Sequence, residues 1–173
     1  FYISDGTRGI YVYRSSDLSN YTAPSMGDDI RVVGSIGQYR GLTQMNPDSI
    51  VLISQNNALP SPILVNTLDE STEGELITIE DVALVDPADW PTSRTSRNID
   101  FYTTGGDTLT MRIDYDANIY GNTPVGSFDL IGVGGQFDFS SPYLDGYQIF
   151  PRSSTDIVQS TPAPGIPSYS IAQ

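Results

Sequence analysis

Gly34-Ser35-Ile36-Gly37-Gln38-Tyr39 reappears as Gly132-Val133-Gly134-Gly135-Gln136-Phe137, and this echo decides how the chain is read. Two more matches flank it. Phe1-Tyr2 followed by Gly6 resembles Phe101-Tyr102 followed by Gly106, and Asp48-Ser49-Ile50-Val51 resembles Thr155-Asp156-Ile157-Val158. The offset between copies is 100 at the start, 98 in the middle and 107 at the end, so loops of different length separate them. A repeat of this period means two small domains of one plan, not a solenoid of short units. The second copy is preceded by a strand-like run, Glu75 to Val85, that has no counterpart ahead of Phe1. The first copy is therefore expected to lack an opening strand.

The pattern is β throughout, and no stretch holds a helical period over three turns. Ile10-Tyr11-Val12-Tyr13 is rich in β-branched and aromatic residues and follows the turn sequence Asp5-Gly6-Thr7-Arg8-Gly9. Ile30 to Ile36 reads as a strand that Gly34 interrupts, which predicts a bulge or the sharp coil of a barrel wall. Asn46-Pro47-Asp48 reads as a turn into Ser49 to Ser54. In the second copy the strands are expected around Leu76–Leu84, Ile99–Tyr102, Leu109–Ile113, Phe128–Val133 and Tyr147–Phe150. The expected fold class is all-β: two tandem small β-barrels of the OB type, with a sandwich as the second architecture the pattern allows. The domains run 1–55 (incomplete barrel), 56–74 (linker with one docked apolar patch at Ile63-Leu64-Val65), 75–160 (second barrel) and 161–173 (proline-rich tail). Core candidates are Ile10, Val12, Ile30, Val32, Ile36, Val51, Ile77, Ile79, Val82, Leu109, Met111, Ile113, Leu130, Ile131 and Ile149.

Composition narrows the chemistry. The 173 residues contain 21 acidic and 8 basic side chains, a net charge of −13. That opposes a phosphate-backbone partner, which is held by Lys and Arg. There is no Cys, His or Lys, so thiolate, imidazole and Schiff-base chemistry are excluded within this sequence. Carboxylate pairs are expected by chance among so many Asp, so no catalytic residue is assigned and no enzyme is expected. No apolar run approaches ~18 residues, so no membrane-spanning helix is expected. The abundance of Thr, Ser, Asn, Asp, Gly and Tyr suits an extracellular or cell-surface β-protein. Asn20-Tyr21-Thr22 matches an N-glycosylation acceptor.

The runs FYISDGTRGIYVY, GDDIRVVGSIGQYRGLTQ, GELITIEDVALVD and DGYQIFPRSSTDIV resemble the OB-fold-like modules of large secreted bacterial proteins. Such modules stand, often in tandem, beside extracellular nucleases, lamin-tail domains and sorting domains. The resemblance covers residues 1–160 and implies a fold, not an activity, because these modules usually carry no catalytic residues. The tail Tyr169-Ser170-Ile171-Ala172-Gln173 also resembles the opening of a further module. Two readings stay open: a piece of a longer multidomain protein, or a unit whose last strand fills the vacancy of another copy.

Three sets of side chains are candidates for binding. For strand donation, Ile166, Tyr169 and Ile171 are the donor and Phe1, Ile3, Ile10 and Val12 the acceptor groove, with other copies of the chain as head-to-tail partners. Pro162–Gln173 fully extended would span roughly 40 Å, long enough to reach a neighbour. For a ligand face, Tyr2, Tyr11, Tyr13, Tyr39 and Arg40 supply the aromatic and basic groups by which OB folds hold single-stranded nucleic acid. For a metal, Asp114, Asp116 and Asn118 offer oxygens at alternate positions, as Ca²⁺ prefers, without the glycine and distal Glu of an EF-hand. The leading expectation is a non-catalytic extracellular structural protein joined into a filament or array by its C-terminal strand. The alternative is a nucleic-acid- or polysaccharide-binding accessory module of a larger secreted hydrolase.

Overall fold

The structure is a computed structural model that describes residues 1–13, 18–19 and 21–160. It is all-β, a closed five-stranded barrel with a second sheet packed on it. The second sheet contains β1 (Tyr2–Ser4), β2 (Gly9–Val12), β3 (Asp29–Tyr39) and β4 (Leu42–Ser54), in the order β1-β2-β4-β3. Next comes β5 (Ile63–Leu64), then the barrel strands β6 (Leu76–Leu84), β7 (Arg97–Tyr102), β8 (Thr108–Ile113), β9 (Phe128–Gln136) and β10 (Tyr147–Phe150), and finally β11 (Ile157–Gln159). The barrel runs β6-β7-β8-β10-β9 and closes because β9 also pairs with β6. All its pairings are antiparallel except β8 with β10.

Local chemistry explains the tight turns. In the β1–β2 hairpin the Asp5 carboxylate accepts hydrogen bonds from the Thr7 hydroxyl at 2.7 Å and from the Thr7 and Arg8 amides at 2.8 and 2.9 Å. These bonds hold its pKa down at about 2. Between β3 and β4, Arg40 and Gly41 have φ of 56° and 94°, the left-handed pair that a two-residue hairpin needs to match strand twist. Gly34 marks a bulge: its partner is Pro47 while Val33 pairs with Ser49, leaving Asp48 extra. A side chain on Gly34 would run into the Asn46 carbonyl and Pro47 backbone. The expected turn at Asn46-Pro47-Asp48 is thus a bulge inside one continuous strand, and Pro47 is tolerated there because bulges relieve a ladder position of its N–H.

The barrel encloses Ile77, Ile79, Val82, Ile99, Phe101, Met111, Ile113, Phe128, Leu130 and Ile149. Trp90 and Ile119 from loops, and Leu68 ahead of β6, complete this core. Of the expected core, Ile36 and Val51 are exposed, at 62% and 45%. Val51 lies opposite Arg31 on the outer face, whereas Ile50 and Leu52 lie opposite Val32 and Ile30. The segment 56–74 is more than a linker. β5 pairs parallel with β6, and the Asp69–Thr72 capping box ties the 3₁₀ turn Glu70–Thr72 down ahead of it.

Truncating a sealed position should cost far more than truncating its half-open counterpart. Phe101→Ala is expected to lose about 3–5 kcal/mol of stability and Ile3→Ala under ~2 kcal/mol, measured by chemical denaturation. Equal losses would contradict this division.

Candidate functional site

The ladders place the two units on each other. β2 pairs parallel with β4, Val12 across from Met45, as β8 pairs with β10, Met111 across from Ile149. Met45 then faces Ile36, and Ile149 faces Gly134. Further along, Ile50 faces Val32 and Ile157 faces Leu130, so the second half of β4 does the work of β11. The four-stranded sheet β1-β2-β4-β3 therefore corresponds to β7-β8-β10-β9. At the amino end the register corrects the sequence match: Ile3 pairs with Ile10 as Phe101 pairs with Leu109, so Ile3, not Phe1, stands for Phe101.

Among the described residues no strand stands as the counterpart of β6. In the barrel β6 joins β9, through Leu76 to Val82, and β7, through Ala83 and Leu84. The strands it would bridge in the other sheet, β1 and β3, each pair with one neighbour among the described residues. The side chains that face this gap lose their cover. Ile99, Phe101, Met111, Phe128, Leu130 and Ile149 are at most 1% exposed in the barrel. At their counterparts only Val12 is buried; Phe1, Ile3, Ile30, Val32 and Met45 are half-buried. Beside them lies a cavity of about 550 Å³ lined by Ile30, Ile50 and Leu52 of the sheet and by Leu18, Tyr21 and Pro24 of the segment after β2.

Of the expected acceptor groove, Phe1, Ile3 and Ile10 are half-buried and Val12 is fully buried. Sequence reasoning omitted β3, whose Ile30, Val32 and Val33 form the longer open edge. The repeat held the signal, since Leu76–Leu84 must pair with the copy of that strand. The expected donor residues Ile166, Tyr169 and Ile171 lie outside the described residues.

The five residues of the expected ligand face fall into two groups. Tyr2, Tyr11 and Tyr13 form a row with ring centroids 5.1 and 6.4 Å apart, and Tyr2 also meets Phe150 of the barrel at 6.4 Å. Burial pushes the Tyr2 hydroxyl pKa well above its ordinary value, and Tyr11, Glu73 and Asp114 add to the shift. Tyr2 is thus half-buried, between Tyr11 of the sheet and Phe150 of the barrel. Tyr39 and Arg40 sit at the tip of the β3–β4 hairpin. Tyr39 makes an edge contact with Phe137 at 6.1 Å, and the Arg40 guanidinium lies over Phe139 at 4.7 Å.

The expected metal loop is engaged by its own neighbours. Asp114 accepts from Arg112 Nε at 2.9 Å, and Tyr115–Ala117 form a 3₁₀ turn that Asn118 ends with φ 58°. Among the described residues no group of three or more acidic side chains could hold a metal ion. No described helix is long and apolar enough to cross a membrane.

The open sheet is fastened to the barrel by directed contacts. The Arg8 guanidinium donates to the Ser71 carbonyl at 3.2 Å, and the Asp138 amide donates to the Arg40 carbonyl at 2.8 Å. The Thr43 amide donates to the Glu73 carboxylate at 2.9 Å, while the other Glu73 oxygen is buried with no partner. Comparison with protein-family models, with curated proteins and with solved structures finds no match.

Burial raises the Glu73 carboxyl pKa above its ordinary 4.5; the Thr43 bond opposes the shift and the charge of Glu70 adds to it. A carboxyl raised on folding supports the fold when protonated, and that support is lost as pH rises through the folded value. Glu73→Gln keeps the acceptor for Thr43 and removes the charge. It should raise the melting temperature at about pH 7, where an ordinary carboxyl is ionised. The gain should vanish as pH falls below the ordinary value. A melting temperature lowered at neutral pH would contradict the reading.

Proposed function

We propose that the chain is a non-catalytic extracellular structural protein built of two OB-type units, the first completed by a strand donated from the C-terminal segment of another copy. The OB reading is supported by the strand order β6-β7-β8-β10-β9 with its single parallel pair, the order of a five-stranded Greek-key barrel. The observation that carries the functional reading is the unfilled place between β1 and β3, flanked by half-buried Phe1, Ile3, Ile30 and Val32. Adding a strand there satisfies backbone groups on two edges and covers apolar side chains in one step, as strand complementation does elsewhere. Donor and acceptor are different surfaces, so the contact is heterologous and propagates into a ring or a filament. The net charge of −13 keeps copies apart until such directed contacts form.

One observation favours the second reading, an accessory module of a larger secreted hydrolase. Tyr39, Phe137, Phe139 and Leu144 leave an exposed aromatic and aliphatic corner at the hairpin tip, with Phe139 71% exposed. Aromatic faces of this kind stack on bases or sugars. Salt-dependent retention on single-stranded DNA or a polysaccharide resin, lost in Phe139→Ala, would favour it over the structural reading.

Removing residues 162–173 separates the readings from the other side. The full chain is expected to form polymers visible by electron microscopy at physiological salt, and the shortened chain to remain monomeric with its barrel intact. Polymers that persist in the shortened chain would sink strand donation.

A further inference from the structure

The two units present the same turn to each other. Tyr39 ends β3 and Phe137 follows β9, and the two are counterparts in the repeat. Their rings meet at 6.1 Å with planes 64° apart. In the first unit the turn that follows is the short Arg40-Gly41; in the second it is the longer loop 137–146. That loop carries Phe139 and Leu144, 71% and 70% exposed, beside Tyr39 at 56%.

The loop is held in shape from within. Gln136 is 2% exposed, and its Nε2 donates to the carbonyls of Tyr143 and Asp145 at 2.7 and 2.8 Å. The Asp138 carboxylate accepts from the amides of Ser140 and Asp145 at 2.9 and 3.2 Å. The Phe137 amide donates to the Gly146 carbonyl at 2.8 Å. Arg40 then clamps the loop to the hairpin. Its carbonyl accepts from the Asp138 amide, its Nη1 donates to the Phe139 carbonyl at 3.3 Å, and its guanidinium lies over the Phe139 ring. These contacts fix Phe139 in place and leave it in water. A ring that is already fixed loses little freedom when a ligand lands on it.

Resting on the second reading above, that the chain is a ligand-binding module, we infer that this corner binds an uncharged polysaccharide. Its size argues against a second copy. Tyr39, Phe137, Phe139 and Leu144 together expose on the order of 450 Å², at about 200 Å² for a whole side chain. A stable protein pair buries about 800 Å² on each partner, so the corner is small for a protein and large enough for a few sugar rings. Charge argues against a polyanion. Arg40 is the one cation in these contacts, Asp138 and Asp145 stand in the same loop, and the whole chain carries −13. A phosphate backbone is held by many more cations than that.

The chemistry of a sugar matches what remains. One face of a pyranose ring is a row of C–H groups, which packs on the negative face of an aromatic ring. Arg40 covers one face of Phe139, and at 71% exposure the opposite face is free. Sugar hydroxyls need donors and acceptors together. The guanidinium of Arg40 has N–H groups to spare beyond its bond to Phe139, and the exposed Asp145 carboxylate accepts.

Affinity electrophoresis tests this, because the charge of −13 carries the free chain through a native gel. Gels are cast with hydroxyethylcellulose, glucomannan or dextran, and in parallel with polygalacturonate or single-stranded oligo-dT. At least one neutral polymer should retard the chain. Phe139→Ala and Phe139→Leu should each weaken that retardation at least about tenfold, as loss of an aromatic anchor does. Phe139→Trp should keep it, as should Val125→Ala at an exposed site elsewhere. Retardation by oligo-dT or polygalacturonate alone would overturn the uncharged ligand and leave the module reading standing. Undiminished retardation of Phe139→Ala would overturn the corner, and of Phe139→Leu the stacking. Self-association that Phe139→Ala abolishes would assign the corner to a second copy and overturn the inference. Retardation by none of the polymers would overturn the inference and the module reading together.

Discussion

The rest of the structure depends on the hydrogen-bonding edge of a β-strand. Each strand presents two rows of backbone donors and acceptors, and leaving such a group buried and unpaired costs about 1–3 kcal/mol. The barrel meets this constraint by closing: β6 takes one edge of β7 and one edge of β9, and the ring has no end. The first sheet uses the same four neighbours in the same order and leaves those two edges without their common partner among the described residues. Its apolar face follows. Most positions sealed in the barrel are half-buried in the sheet, where no strand bridges β1 and β3 among the described residues.

Docking on the barrel compensates in part. Tyr2 finds Phe150, the β3–β4 hairpin finds Phe137 and Phe139, and Glu73 accepts the Thr43 amide. These contacts hold the sheet at its β1 and hairpin ends and leave the start of β3 open. The two units also diverge where the entry of β6 matters. Gly134 yields to the crossing chain, whereas Ile36 carries a side chain at the same place. The glycines at 34 and 132 both stand in close backbone approach, where a side chain would meet the Asn46 carbonyl and the Phe150 carbonyl respectively.

Much of this was legible because β-structure writes its neighbours into a period of two. The matches at 34–39 with 132–137 and at 48–51 with 155–158 agree with the ladder register. The match of Phe1-Tyr2 to Phe101-Tyr102 was two residues out, an error alternation cannot detect because a shift of two keeps every side chain on its face. Ile36 and Val51, expected in the core, are exposed; Val51 stands opposite Arg31, and the bulge at Pro47 sets which residues of the second half of β4 face outward. The expected turn at Asn46-Pro47-Asp48 failed for the same reason. The capture of Tyr2 by Phe150 was not legible, since it depends on how the sheet meets the barrel and local pattern carries no record of that approach. The Arg112 partner of Asp114, two residues earlier on β8, is a cross-residue contact that the loop sequence alone does not spell out.

Hydrogen exchange on the amides of β3, followed as protein concentration is raised, tests the central claim most directly. The account predicts that, within Asp29–Ser35, the alternate amides that point away from β4 exchange rapidly in the dilute chain and become protected at high concentration, while the amides of β9 stay protected throughout. Protection of those outward amides that equals that of β9 in the dilute chain, or that does not change with concentration, would contradict an open edge filled by another copy.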